Sequence, residues 1–197
     1  MPRKGLTEAT IVKTAVEIVE EQGYKNLSLR ELAARLDVKP PALYNHISGM
    51  EELLGAIARV AADRLNAALA SAAREKPRDE AFIAVCYAYR DFVLNANELY
   101  KSIIHIPRLG VEDARTISST AIEPLHEILR SFHLRETEMI HMLRYIRSTL
   151  HGFSWLEGAG FMRINPMPIE DTFGVIVQDL LSALLERERA GAGSAAL

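Results

Sequence analysis

Between Lys39 and His46 the chain reads Lys-Pro-Pro-Ala-Leu-Tyr-Asn-His, which places an ammonium, a phenol, a carboxamide and an imidazole in one short stretch. Groups of these types hydrogen-bond to phosphate oxygens and base edges, the chemistry by which a protein holds and reads double-stranded DNA. Covalent chemistry has no comparable footing, because the patterns G-x-S-x-G, G-x-x-x-x-G-K-[ST], H-E-x-x-H and G-x-G-x-x-G are absent. Cys86 is the single cysteine, so no intramolecular disulfide can form, and no Cys/His cluster stands at metal-ligand spacing. The sequence therefore predicts no catalytic residue, no metal site and no cofactor. Gly158-Ala159-Gly160 reads as a helix C-cap rather than a phosphate loop.

A reading stretch needs elements that hold it against a groove, and residues 28 to 47 supply them. Ser28-Leu29-Arg30-Glu31 has the S-x-x-E form of a capping box and opens a helix to Leu36, with Leu32, Ala33 and Leu36 inward. After the break Asp37-Val38-Lys39, the paired Pro40 and Pro41 suit a first helical turn, where a missing N–H is harmless, and Ala42 to Ile47 make another short helix. Neither helix is long enough to be stable alone. Ala33 stands where the helices must approach closely, and Val38, Leu43 and Ile47 form the shared core. That is the form of a helix-turn-helix, whose second helix offers its N-terminal side chains to the major groove.

Apolar positions recur at helical spacing along the rest of the chain, and alternating runs of β-branched residues are missing, so the expected fold class is all-α, with about nine helices. A first helix should start at the N-cap Thr7, bury Ile11, Ala15, Ile18 and Val19, and stop at Gly23. Ser48-Gly49-Met50-Glu51 reads as a second capping box, opening a long helix that buries Leu53, Leu54, Ile57, Ala61, Leu65 and Leu69 and fades near Arg74. Beyond the linker Lys76-Pro77-Arg78-Asp79, helices are expected near 80–95, 97–106, 111–132, 136–160 and 169–189. Pro124 should kink the third of these.

Hydrophobic residues make up 49% of the 197 and charged residues 25%, a balance that folds and needs no staple. A net charge of −3 argues against a protein that coats nucleic acid non-specifically. Residues 1–50 carry seven Lys/Arg against six Asp/Glu, and the remainder sixteen against twenty, so any basic face belongs to the N-terminal end. No apolar run approaches the roughly 20 residues a bilayer requires, and Met1-Pro2-Arg3-Lys4-Gly5 lacks the apolar core of a signal peptide. The expectation is a cytoplasmic protein with no membrane partner.

Leu29-Arg30-Glu31-Leu32-Ala33, Val38, Ala42-Leu43-Tyr44-Asn45-His46-Ile47 and Glu51-Glu52-Leu53-Leu54 together resemble the N-terminal domain of the TetR family of transcriptional regulators. Leu150-His151-Gly152-Phe153, Leu156-Glu157 and Phe161 resemble a subset of that family with a His-Gly pair in its penultimate helix. The resemblance implies a helix-turn-helix DNA-binding domain at 1–50, a helical ligand-binding and dimerisation domain at 51–189, and a flexible tail at 190–197. It also implies roles by position. Ser28 would give its hydroxyl to a phosphate, Arg30 would contact guanine bidentately, and Tyr44 and His46 would hold phosphates. Asn45 would read adenine, Pro41 and Ala42 would touch a thymine methyl, and Lys39 stands in the same surface. Asp37 occupies the turn where the family has glycine. Met50 stands where it has a phosphate-binding lysine, a contact this chain lacks.

Aromatic and sulfur-bearing residues concentrate in the C-terminal part, where an apolar pocket for a small-molecule effector would need them. The candidates are Tyr89, Phe92, Tyr100, His105, Met142, Tyr145, His151 and Trp155. The last two long helices carry wide apolar stripes, and Ile140, Ile146, Leu150, Ile176, Leu180 and Leu184 are the expected homodimer interface. The reading is a dimeric repressor that binds a palindromic operator and is released by a largely apolar effector. A DNA-binding regulator without an inducer and a helical protein-interaction module remain as rivals.

Overall fold

The computed structural model describes residues 5–105, 117, 120–164 and 166–194, and every regular element among them is helical. Helix α1 (Glu8–Gln22) opens with a reciprocal cap in which Thr7 Oγ1 accepts the Thr10 N–H at 3.2 Å and the Thr7 N–H donates to Thr10 Oγ1 at 3.0 Å. It buries Ile11, Ala15, Val16, Ile18 and Val19 and stops at Gly23, whose N–H donates to the Val19 carbonyl at 2.9 Å. A single 3-10 turn, Tyr24–Asn26, leads to α2 (Leu29–Arg35), where Ser28 Oγ accepts the Glu31 N–H at 3.2 Å.

Asp37 takes φ 54, the left-handed conformation that lets the chain reverse and bring the Val38 N–H to the Ala33 carbonyl at 3.0 Å. The next element differs from the expected α-helix over 42–47: Pro40–Asn45 is a 3-10 helix. Lys39 is extended, as a residue before proline prefers, and two successive prolines remove two donors. The bonds that remain are short-range, Ala42 N–H to Lys39 O and His46 N–H to Leu43 O, both at 2.9 Å.

The remaining helices are α3 (Met50–Ala73), α4 (Arg78–Asn95), α5 (Asn97–His105), α6 (Glu123–Arg130), α7 (Glu136–Gly158) and α8 (Ile169–Ser194), with a short 3-10 helix Phe161–Ile164. Three expectations need correction. Glu52, not Glu51, reaches back to cap the start of α3, accepting the backbone N–H and hydroxyl of Ser48. Pro124 opens α6 in its first turn instead of kinking a longer helix, because a proline N–H is dispensable there; residues 111–116 of the expected helix lie outside the described residues. The last helix runs to Ser194, past the expected end at 189 and into the segment 190–197 expected to be a tail.

Chain contacts divide the protein into two compact units, Met1–Arg64 with Ala96–Ala121, and Leu65–Asn95 with Ile122–Leu197. In the first, α1 packs on α2 and α5, and the 3-10 helix Pro40–Asn45 packs on α2. Leu32, Ala33, Leu43, Ile47, Leu99 and Ile103 are buried with the α1 stripe. In the second unit α4 packs against α6, α7 and α8. Its core holds an edge-on pair, Phe82 and Phe132, with centroids 6.4 Å apart, and Phe173 set against Tyr87 at 5.0 Å and Phe153 at 5.1 Å.

Arg90 ties that second unit together. Its side chain is 9% exposed, Nε and Nη2 each donate to Glu157 at 2.7 Å, and Nη1 donates to Glu170. The guanidinium also lies 4.7 Å from the Phe173 ring centroid, so one charge links α4, α7 and α8. Among the described residues no helix is long and apolar enough to cross a membrane.

Candidate nucleic-acid interface

The helix-turn-helix is built from α2, the Asp37 turn and the 3-10 helix Pro40–Asn45. Leu43 and Ile47 are buried, at 0% and 3% exposure, and fix which edge of the segment faces inward. The period of the helix then puts Lys39, Pro41, Tyr44 and Asn45 at the surface, with Ala42 and His46 half-buried. Tyr44 is 57% exposed, a large aromatic ring kept out of the core. Ser28 and Arg30 are exposed at the start of α2.

Most charged groups around this surface are paired, and the reading residues are not. Arg35 donates to Glu21 at 2.6 Å, Gln22 to Glu31 at 3.3 Å, Arg64 to Glu20 at 2.5 Å, and Glu52 is held by Ser48. The Glu21 carboxylate raises the Arg35 guanidinium further above its ordinary value, and the Ser48 donors keep the Glu52 carboxyl below its own. The side chains of Arg30, Lys39, Tyr44, Asn45 and His46 make no hydrogen bond or ion pair among the described residues. Ser28 accepts from Glu31 and still has its hydroxyl proton to donate. The arrangement sets free donors and acceptors on an exposed edge, as a groove-reading element requires.

The other expected site residues are spread more widely. Tyr100 and His105 belong to the first unit, where Tyr100 is buried and the His105 ring stacks on Tyr24 with centroids 5.1 Å apart. In the second unit Tyr89 and Met142 are buried and Phe92 is half-buried. His151 is half-buried beside Trp155, with ring centroids 5.9 Å apart, and burial, with Arg147 adding, pushes its imidazole below the ordinary range. Tyr145 and Trp155 lie at the surface of the chain, 50% and 37% exposed.

Of the six expected dimer residues, Ile146, Leu150, Leu180 and Leu184 are buried in the subunit's own core. They serve the packing of α7 and α8 within one chain. Ile140 is 40% exposed and Ile176 half-buried. A cavity of about 300 Å³ lies among Phe153, Met162, Met167, Ile169, Thr172 and Ile176, and none of the eight expected pocket residues lines it. Met162, and Met167 set between Pro166 and Pro168, were the available signal.

Residues 11–57 match the family model described as bacterial regulatory proteins, tetR family, and residues 82–180 match a tetracyclin repressor-like C-terminal domain. The uncharacterized HTH-type transcriptional regulator YobS of Bacillus subtilis is 33% identical over 158 residues, 79% of this chain and 81% of its own. Rv0681 of Mycobacterium tuberculosis, another HTH-type transcriptional regulator, is 29% identical over 159 residues, 80% of this chain and 72% of its own. Among solved structures, a protein from Rhodococcus sp. RHA1 superposes with a TM-score of 0.77 at 21% identity, covering 92% of this chain and 96% of that one. BioQ, solved with its double-stranded DNA operator, superposes at 0.63 with 24% identity, covering 92% of this chain and 99% of that one.

The fold, the exposed helix-turn-helix and these matches define a DNA-binding helix-turn-helix transcriptional regulator, not an enzyme. The chain belongs to the TetR family.

Proposed function

We propose that the protein is a dimeric repressor that binds a palindromic operator through residues 1–50 and is released by a small, largely apolar effector held within 51–189. The observation that carries the DNA part is the set of unpaired side chains Arg30, Lys39, Tyr44, Asn45 and His46, fixed over the buried anchors Leu43 and Ile47. Arg30 and Asn45 read base edges, Ser28, Tyr44 and His46 hold phosphates, and Pro41 and Ala42 meet a thymine methyl. Support for a dimer comes from apolar side chains left at the surface of α7 and α8: Tyr145, Leu156 and Val175 are 50%, 45% and 61% exposed. A two-fold axis through that face would set the two reading segments about 34–36 Å apart, one turn of DNA. An effector that prefers a conformation with a different spacing lowers operator affinity by the ratio of its affinities for the two states.

The test is selection of bound DNA from a random library at low salt, using the wild type, Arg30→Ala and Tyr44→Phe. A palindrome with half-sites one turn apart, altered by the first variant and weakened by the second, is the expected result. Recovery of no palindrome defeats the operator reading. Fluorescence of Trp155, the single tryptophan, then reports effector binding in a metabolite screen. If no compound both changes that signal and releases DNA, the inducer part fails.

A further inference from the structure

The cavity of about 300 Å³ in the second unit is lined by Phe153 of α7, by Met162 and Met167 of the connection that follows, and by Ile169, Thr172 and Ile176, which share one face of α8. Phe153 is 7% exposed, and its ring packs 5.1 Å from that of Phe173, which the Arg90 guanidinium covers at 4.7 Å. Glu157 and Glu170 hold Arg90 in turn, so the aromatic part of the wall is fixed by bonds among α4, α7 and α8. The methionine part is adaptable, because an unbranched thioether changes rotamer readily and packs well on aromatic rings. Met167, 60% exposed, and Thr172, also exposed, mark the mouth of the cavity.

Among the described residues no ionised side chain lines this cavity, and its one polar residue is Thr172, whose hydroxyl makes no hydrogen bond to them. An ion buried here would go uncompensated, so the enclosed part of an occupant carries no charge. The volume is about twice the roughly 150 Å³ that holds a benzene ring, which is room for two fused rings. A concavity of this size, set over the nearly buried Phe153, suits a small molecule, whereas a helix of another chain needs a long open groove. We propose that the cavity takes an uncharged two-ring aromatic compound, its rings against Phe153, Met162 and Ile176 and its one polar substituent at the mouth with Thr172. Ring–ring and sulfur–ring contacts favour an aromatic occupant over a saturated one of the same size. The site deepens the effector reading, on which its role in regulation rests.

The test titrates the full chain, labelled in its methionine methyl groups, with 2-naphthol at about pH 7, where a phenol is neutral. Met162→Leu and Met167→Leu assign the two resonances. The expected result is a saturable shift confined to Met162 and Met167 among the six methionines. Decahydro-2-naphthol, the saturated analogue, should half-saturate at about a threefold to tenfold higher concentration. Naphthalene-2,6-disulfonate, which cannot enter without burying an anion, should give no saturable shift. Ile176→Phe, its fold checked by its thermal transition, should weaken 2-naphthol binding at least about tenfold by filling the space; Thr172→Phe, at the exposed mouth, is a second blocking variant. No saturable shift, shifts spread over all the methionines, an equal response to either comparison compound, or binding intact in a folded blocking variant would each overturn the proposal. So would a shift of the same two methyls on diluting the protein with none on adding 2-naphthol, since a second copy would then cover the cavity. Because the readout needs no DNA, failure here leaves release by an effector held elsewhere standing. Equally, binding here that leaves the operator complex intact defeats the inducer reading and not the site.

Discussion

The Glu98 carboxylate accepts the backbone N–H of Tyr24 at 2.9 Å, so α5 holds the turn that joins α1 to α2. At the other end of α5 the His105 ring lies nearly parallel to the Tyr24 ring, at 12°. The same short turn is thus gripped twice, immediately before Ser28 caps the first helix of the helix-turn-helix.

Gly23 makes the Glu98 contact feasible. Its φ is 92, and a Cβ there would lie 3.1 Å from Glu98 Oε2. Gly23→Ala should therefore destabilise the protein by about 1–3 kcal/mol through backbone strain. Urea unfolding with an unchanged midpoint would contradict this.

The Glu98 carboxyl is held below the ordinary glutamate range by Lys101 first, then by the Tyr24 N–H and the charges of Lys101 and Lys25, with partial burial opposing them. A carboxyl lowered in the folded state stabilises in full above its unfolded value, about 4.3, and that contribution is lost as pH falls through the lower folded value. Glu98→Gln should be less stable than wild type at neutral pH, with the gap closing below about pH 4. Denaturant melts across this range would show a constant gap if the contact were inert.

Arg90→Met would leave Glu157, 13% exposed, without the counter-charge that Arg90 supplies. The expected loss is about 3 kcal/mol, and Arg90→Met combined with Glu157→Leu should recover most of it, since a buried pair is worse broken than absent. Trp155 fluorescence follows the unfolding. Equal instability of the single and double variants would show that packing, not the unpaired charge, dominates.

On DNA, the proposed roles separate by what they change. Arg30→Ala should lose about 1–3 kcal/mol and relax preference at one base position. Lys39→Ala should weaken all sequences alike and reduce the salt slope by about 1. Fluorescence anisotropy on matched and mismatched duplexes at several salt concentrations distinguishes these from a general loss of folding.

Local signals carried most of the fold in the sequence. Thr7, Gly23 and Ser28 mark helix ends by hydrogen bonds within four residues, and the stripe Ile11, Ala15, Ile18, Val19 repeats with the helical period. The exposed reading segment was legible for the same reason, because Leu43 and Ile47 fix its inner edge. Its 3-10 form was not, since Pro40-Pro41 is equally compatible with the first turn of either helix type. Apolar periodicity also cannot separate a stripe that meets its own chain from one that meets a partner. Ile146, Leu150, Leu180 and Leu184, expected at a partner from their periodicity, are buried within their own chain. Arg90 depends on Glu157 and Glu170, distant in sequence, where no local pattern reports them.

The burial of only Leu43 and Ile47 beneath Pro40–Asn45 separates what keeps the segment in place from what it recognises. Pro41, Tyr44 and Asn45, which are exposed, can be exchanged with little consequence for folding, since changes at outward positions leave the anchors untouched. In the proposed role the module is a cassette, on which new operator preferences could be installed without rebuilding the scaffold.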